Sequence, residues 1–188
     1  MIDISPAAKG MESLLASVSE DQFDLPTPCP DTSVGDLVDH IGTFAAAFTA
    51  VAHKAGRGAP TPPNAANLEA GWRDRITRDL QACADAWKAP EAWEGVTAVG
   101  GIELPCEVAG LVVLDELVVH GWDIAVSTGQ PYEPSVADTE AAASFVGSFP
   151  APRDGTLFGP IVPVPASAAP LDRLLGLAGR DPSWQPPA

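Results

Sequence analysis

Hydrophobic positions along the chain recur at intervals of three and four, the spacing of one face of an α-helix. Met11, Leu14, Leu15 and Val18 form the first such stripe, behind a Ser5-Pro6 pair suited to a helix cap and first helical position. This predicts a first helix over about residues 6–18. The three prolines between Phe23 and Pro30 make that stretch a loop. Val34, Leu37, Val38, Ile41, Phe44, Phe48 and Val51 predict a second helix, running from Ser33 to about Ala55. Ser33 and Asp36 stand at its start as a capping box with a short acid. A flexible Gly/Pro loop is expected over Gly56–Asn64. Leu68, Trp72, Ile76, Leu80, Cys83 and Trp87 mark a third helix that ends before Pro90.

Between Val96 and Leu104, β-branched residues around Gly100-Gly101 suggest an extended loop or small hairpin. A fourth helix is expected from about Glu107 to Thr128, with Gly129 as its cap and Pro131 as a stop. A shorter helix from about Val136 to Phe149 follows, then a Pro-rich crossing from Pro150 to Pro170 with Ile161–Val164 extended. A last short helix spans Leu171–Leu177, and the tail from Pro182 to Ala188 is expected to fray. Four long amphipathic helices with long connections favour a mainly α protein, a four-helix bundle with short C-terminal helices and extended segments. One domain is expected over residues 1–188, its core at about 5–149 and a C-terminal appendage at about 150–188.

The fourth helix carries the chemistry. From Val108 to Val126 it is apolar almost all round, as a helix at the centre of its fold would be. Yet Glu116 and His120 lie within it four residues apart, and Asp123 follows at the next turn. At about 100° per residue the three share one narrow sector with Val113, Leu117 and Ile124, which turns them inward. An ionised carboxylate buried without a partner is costly. A metal ion compensates it while taking neutral imidazole as a second ligand, and spacing of i, i+4 lets both reach one ion. The alternative is a purely structural Glu–His hydrogen bond.

Two other histidines could add a ligand. His40 lies at the edge of the second helix's stripe, about 60° from its centre, where it faces a neighbouring helix. His53 falls about 220° further round, at the helix C-terminal end, where a partly cationic side chain helps the dipole. His40, Glu116 and His120 then give two nitrogens and one oxygen and leave a fourth position open, the mark of a catalytic or ligand-binding metal site. Zinc suits this set best, with nickel or iron as alternatives. Asp123 could orient a ligand from behind or be an ordinary buried carboxylate. Trp122, on another side of the helix, belongs to the core, and Cys106 at the helix start is a minor candidate thiol.

Composition narrows the partners. The 188 residues are 46% hydrophobic and 19% charged, a globular balance. A net charge of −15 opposes phosphate backbones, so a nucleic-acid partner is not expected. Apolar runs are interrupted well before the roughly 18 residues that span a bilayer, so neither is a membrane. Cys29, Cys83 and Cys106 are odd in number, far apart and without a CxxC pair, which gives no disulfide framework. Free thiols, and no basic-then-apolar leader at the N-terminus, point to the cytoplasm.

Several blocks carry a family resemblance. Pro26-Thr-Pro-Cys-Pro30, Val34-Gly-Asp-Leu-Val-Asp-His40, Gly110 through Asp123 and Leu171 through Pro182 resemble the metal-binding domain of mycothiol-dependent maleylpyruvate isomerase, in the DinB-like superfamily of four-helix metal proteins. The resemblance runs from Ile2 to Trp184, and the block around Glu116 and His120 is its most specific part. It implies a bundle with His40, Glu116 and His120 as metal ligands, and mycothiol, a small sugar-based thiol, at the open position. A metal lowers a thiol's pKa and delivers the thiolate at neutral pH. The implied activity is a mycothiol-dependent transferase, isomerase or hydrolase acting on a small electrophile; the alternative is a non-catalytic sensor or interaction module on the same bundle. The full isomerase has a further C-terminal domain for which this chain is too short, so maleylpyruvate isomerisation itself is not expected. Thr32-Ser33 stands where many relatives carry Trp, which would reshape the mouth of the site.

Overall fold

The computed structural model describes residues 1–55, 61–150, 152–155 and 157–187. Among them lie six α-helices: α1 Ser5–Ser17, α2 Val34–Ala52, α3 Trp72–Ala86, α4 Cys106–Thr128, α5 Val136–Ser148 and α6 Pro170–Leu177. One antiparallel hairpin, β1 Val96–Val99 with β2 Ile102–Pro105, separates α3 from α4. Helices α1 and α2 do not lie side by side; each packs between α3 and α4, which closes a four-helix bundle. Helix α5 lies against α4 on the outside of the bundle, and α6 packs on α5. The fold is the mainly helical bundle that the periodicity favours, and no described helix is long and apolar enough to cross a membrane.

Local chemistry sets the helix ends. Ser33 Oγ accepts the Asp36 N–H at 3.2 Å, and Asp36 Oδ2 accepts the Ser33 N–H at 3.1 Å, so the capping box closes with the shorter acid. Helix α2 stops at Ala52, three residues before the expected Ala55, because Lys54 adopts a left-handed φ of 54°. The Ala55 N–H then returns to Ala50 O at 2.9 Å and the Lys54 N–H to Val51 O at 2.9 Å, a Schellman closure. Gly56–Pro60 of the expected flexible loop fall outside the described residues.

Helix α3 begins at Trp72, not near Leu68. Ala65–Asn67 forms a single 3-10 turn instead, and Gly71 at φ 84° breaks the helical path between them. Two acids of α2 hold this turn in place: Asp36 Oδ1 accepts the Ala65 N–H at 2.8 Å, and Asp39 Oδ2 accepts the Asn64 N–H and the Asn67 amide, each at 2.9 Å. The 96–105 stretch is the small hairpin, closed by Gly100 and Gly101 at φ 57° and 84°, the pairing a tight two-residue turn requires.

Most of α4 is buried, on every side. Its first turns approach Trp93 and Trp87, which are tied by the Trp93 indole N–H on Trp87 O at 2.7 Å. It ends at Gly129, φ 70°, as the sequence suggests. Beyond α5 the Pro-rich crossing is fastened by Arg153, which donates to Leu177 O at 2.6 Å and Val146 O at 2.7 Å. The tail departs from the expected fraying at least as far as Trp184, whose ring packs on the core and whose N–H donates to Asp181 O at 3.0 Å.

Candidate metal centre

Helices α2 and α4 bring His40, Glu116 and His120 together. His40 Nε2 lies 2.9 Å and His120 Nε2 3.1 Å from the same oxygen, Glu116 Oε2. The two imidazole rings stand edge to face, with centroids 5.1 Å apart. Their side chains are 34%, 27% and 14% exposed for His40, Glu116 and His120, so the cluster is shielded yet reachable. One ligand atom from each lies within 4.8 Å of the others, close enough to hold a single metal ion. A tetrahedral zinc with bonds of ~2.05 Å would set its ligand atoms about 3.3 Å apart, so the site fits such an ion after small side-chain movements.

Behind His120 stands a second tier. His120 Nδ1 meets Asp123 Oδ2 at 2.9 Å, which leaves Nε2 to face Glu116. The Asp123 side chain is fully buried and is gripped by Arg180, with Nε on Oδ1 at 3.3 Å and Nη2 on Oδ2 at 3.0 Å. Arg180 Nη2 also lies 2.8 Å from Cys29 Sγ, and Cys29 Sγ is 3.3 Å from Asp123 Oδ2 and 4.0 Å from His120 Nδ1. Cys29, His120 and Asp123 thus form another group with metal-ligand spacing, which shares His120 with the first.

The chain reaches these positions for local reasons. Thr27 Oγ donates to Thr32 O at 2.8 Å and accepts the Cys29 N–H at 3.1 Å, which ties the 27–32 loop into a turn carrying Cys29. Arg180 is aimed by the end of α6. There Gly179 takes a φ of 81°, the Arg180 N–H returns to Leu175 O at 2.8 Å and the Gly179 N–H to Gly176 O at 3.2 Å. A side chain at 179 would also strike the Gly159 backbone, its Cβ falling 2.7 Å from Gly159 Cα.

Charges within the cluster set its protonation. Burial alone would raise the Glu116 carboxyl, but the His120 charge and the hydrogen bonds from His120 and His40 hold it well below the usual carboxylate range. Burial alone would lower His120, yet Glu116, Asp123 and Cys29 together push it well above an ordinary histidine. Asp123, against its burial, is lowered by His120 and Arg180. Asp115, the neighbour of Glu116, goes the other way: burial, then the Glu116 charge, push it up to about 8.

The remaining sequence candidates lie elsewhere. His53 caps the exposed C-terminal end of α2, away from the cluster. Trp122 is buried in the core. Cys106 is fully buried at the start of α4 and takes no part in the cluster. Reading the sequence for helical faces missed Cys29, which sits in a loop, and Arg180, which follows the last helix. Asp115 escaped attention beside Glu116.

Fold and site together define a helical-bundle protein with a candidate metal centre between two of its helices. The family model described as mycothiol maleylpyruvate isomerase N-terminal domain matches residues 4–125, and the chain belongs to that family. Two uncharacterized proteins from different strains of Mycobacterium tuberculosis are each 31% identical to it over 189 residues, covering 93% of both chains. Among solved structures, mycothiol-dependent maleylpyruvate isomerase shares its fold with a TM-score of 0.56 at 16% identity, over 78% of this chain and 67% of that one. A mutant of that enzyme matches with a TM-score of 0.55 at 17% identity over the same shares.

Proposed function

We propose that this protein binds one divalent metal ion through His40, Glu116 and His120 and uses it to activate a small thiol for transfer to, or isomerisation of, a small electrophile. The observation that carries this reading is the convergence of two imidazole Nε2 atoms on one carboxylate oxygen, with His120 held from behind by Asp123 and Arg180. A surface ion pair has no need of that backing; a metal-binding histidine does, because the bond at Nδ1 fixes the tautomer and ring plane that present Nε2. Zinc suits two nitrogens and one oxygen with a position left open. Family membership, and the mycothiol dependence in the name of the fold relative, make mycothiol or a thiol of its kind the candidate cofactor.

A bound metal would supply Lewis acidity and lower the pKa of a thiol placed at the open position. The chain's own residues do the rest. Glu116 offsets the ion's charge, and His40 and His120 fix its place between α2 and α4. Asp123 keeps the His120 proton at Nδ1, and Arg180 keeps Asp123 ionised. Phe44, with its ring centroid 5.9 Å from that of His40, packs beside that imidazole on α2.

Elemental analysis of protein reloaded with zinc, nickel or iron tests the metal, with about one ion per chain expected. Mass spectrometry after incubation with mycothiol and small electrophiles tests the chemistry, with thiol conjugates or isomerised product expected only in the metal-loaded sample. Absence of metal after reloading overturns the proposal. Metal without thiol binding or product would favour the non-catalytic module.

A further inference from the structure

Beside the metal centre, on the flank of α4 that faces α5, lies a cavity of about 100 Å³. Val112 and Val119 of α4 wall it together with Phe145, Phe149 and Phe158, and Asp115 is the polar group set among them. The three phenylalanines are mutually packed, with ring centroids 5.1 and 6.2 Å apart along the row. Asp115 is 6% exposed, and its Oδ1 is buried with no hydrogen-bond partner among the described residues. A buried carboxyl oxygen without a partner is an expensive feature to keep, and native interiors hold few of them. Glu116, His120 and Arg180 line the same cavity, so it is continuous with the candidate metal centre.

We propose that this cavity is the pocket for the electrophile's body, and that it takes a small, uncharged, aromatic or compact apolar group carrying a hydroxyl or amide that pairs with Asp115. The inference rests on the metal-site reading above, since the metal would stand at the pocket's edge. Three observations select the ligand class. The wall is apolar and rich in rings, which favours an aromatic body. An engineered apolar cavity of about 150 Å³ takes up benzene, so this partly open space, about two-thirds of that size, encloses most of one ring and leaves its remaining edge at the mouth. The two charged groups of the lining are already committed, Glu116 to His40 and His120 and Arg180 to Asp123, so the cavity offers a free ion of either sign no unpaired counter-charge. A hydroxyl or amide, which both donates and accepts, matches the unpaired Asp115 oxygen.

The origin of the wall gives the pocket a role in specificity. The proposed ligands His40, Glu116 and His120 lie within the family-matched residues 4–125, whereas Phe145, Phe149, Phe158 and Arg180 lie beyond them. The C-terminal segment thus builds the part of the pocket that the shared domain does not supply, and Arg180 pins it to the metal centre through Asp123.

The test is binding of simple probes to the full chain, loaded with zinc or treated with chelator, measured by ligand-observed NMR titration. Benzyl alcohol and benzamide are expected to bind at least tenfold tighter than toluene or benzoate. Asp115→Leu should erase that preference while toluene binds as well or better. Val112→Trp, which fills the cavity without altering Asp115, should abolish binding of all four; it keeps the proposal testable if Asp115→Leu does not fold. Equal affinities for benzyl alcohol and toluene, or an unchanged preference in folded Asp115→Leu, overturn the inference, as does undiminished binding to Val112→Trp. Failure of the two readings is separable. Zinc bound at one per chain without probe selectivity defeats the pocket alone, and selective binding by a chain that never retains metal defeats the metal site alone.

Discussion

Replacing Arg180 with Met removes the guanidinium but keeps an apolar stem of similar length, so the change isolates charge and hydrogen bonding from packing. The Asp123 side chain is fully buried and that of Arg180 is 13% exposed, so solvent screens their attraction little. Breaking a buried pair by removing one partner costs about 3–5 kcal/mol, because the remaining charge is left uncompensated. Here Asp123 keeps His120 Nδ1 at 2.9 Å and Cys29 Sγ at 3.3 Å, which places the expected loss at the lower end, about 3 kcal/mol. For a chain of this length that is a fall in Tm of roughly 6–12 °C. Metal affinity should drop about 10–100-fold as well, since His120 loses the fixed carboxylate behind it. The assay is urea unfolding at neutral pH of wild type, Arg180→Met, Asp123→Asn and the double variant, in chelator, with zinc titrations alongside. The double variant should be more stable than the sum of the single losses allows, by about 2 kcal/mol, because both charges leave together. A loss below about 0.5 kcal/mol in Arg180→Met, or strict additivity in the double variant, would refute the reasoning that Arg180 holds Asp123.

Three further outcomes follow from the same geometry. His120→Ala should weaken metal binding more than ~100-fold, beyond what loss of a supporting group does, whereas His53→Ala at the exposed end of α2 should leave it unchanged; equal retention in a dialysis assay would contradict this placement. Burial works against ionised Asp36, but the Ala65 N–H and the Ser33 hydroxyl and N–H hold its carboxyl below the usual value, so its stabilisation is present above the unfolded pKa and disappears as pH falls through the folded one. Asp36→Asn should therefore cost about 1–2 kcal/mol in thermal melts at pH 7 and progressively less below about pH 4; a cost that grows on acidification would reverse the sign. A thiol reagent should label half-buried Cys29 first, since Cys106 is fully buried and burial, opposed by a Thr49 hydrogen bond, pushes the Cys83 thiol up to about 12; early label on peptides carrying Cys83 or Cys106 would count against the packing described.

What the sequence made legible depended on periodicity. The stripes of α1, α2 and α4 are regular enough to place those helices, and charged groups inside the apolar run of α4 stand out because nothing else in that run is polar. Rotation by 100° per residue turns Glu116, His120 and Asp123 to one side of α4, and on α2 it turns His53 away from the direction of His40. Helix ends were harder. Leu68 keeps the helical phase of Trp72 and Ile76, so the apolar pattern does not betray the break at Gly71, whose φ is 84°, nor the preceding turn that Asp36 and Asp39 hold. Lys54 ends α2 in a conformation usual for glycine, which composition does not announce.

Groups brought to the site by irregular chain carry no period at all. Cys29 arrives through the hydrogen bonds of Thr27, and no spacing rule predicts which way that loop points. Arg180 did have a signal: Gly179, just past α6, is the residue type that lets a helix end in a Schellman turn and send the next side chain back across the fold. Knowing that reversal still does not say which helix the side chain will meet. Asp115 shows the limit most clearly. Rotation places it about 100° from Glu116, on a different flank of α4. That flank becomes a pocket wall only because α5 and the Pro-rich crossing fold back over it, and their order in space is fixed by bonds such as those of Arg153 to Leu177 and Val146. A helix thus declares its own faces in sequence. What each face is for depends on the element that covers it, and here the covering element lies beyond residues 4–125, the span that the family model matches.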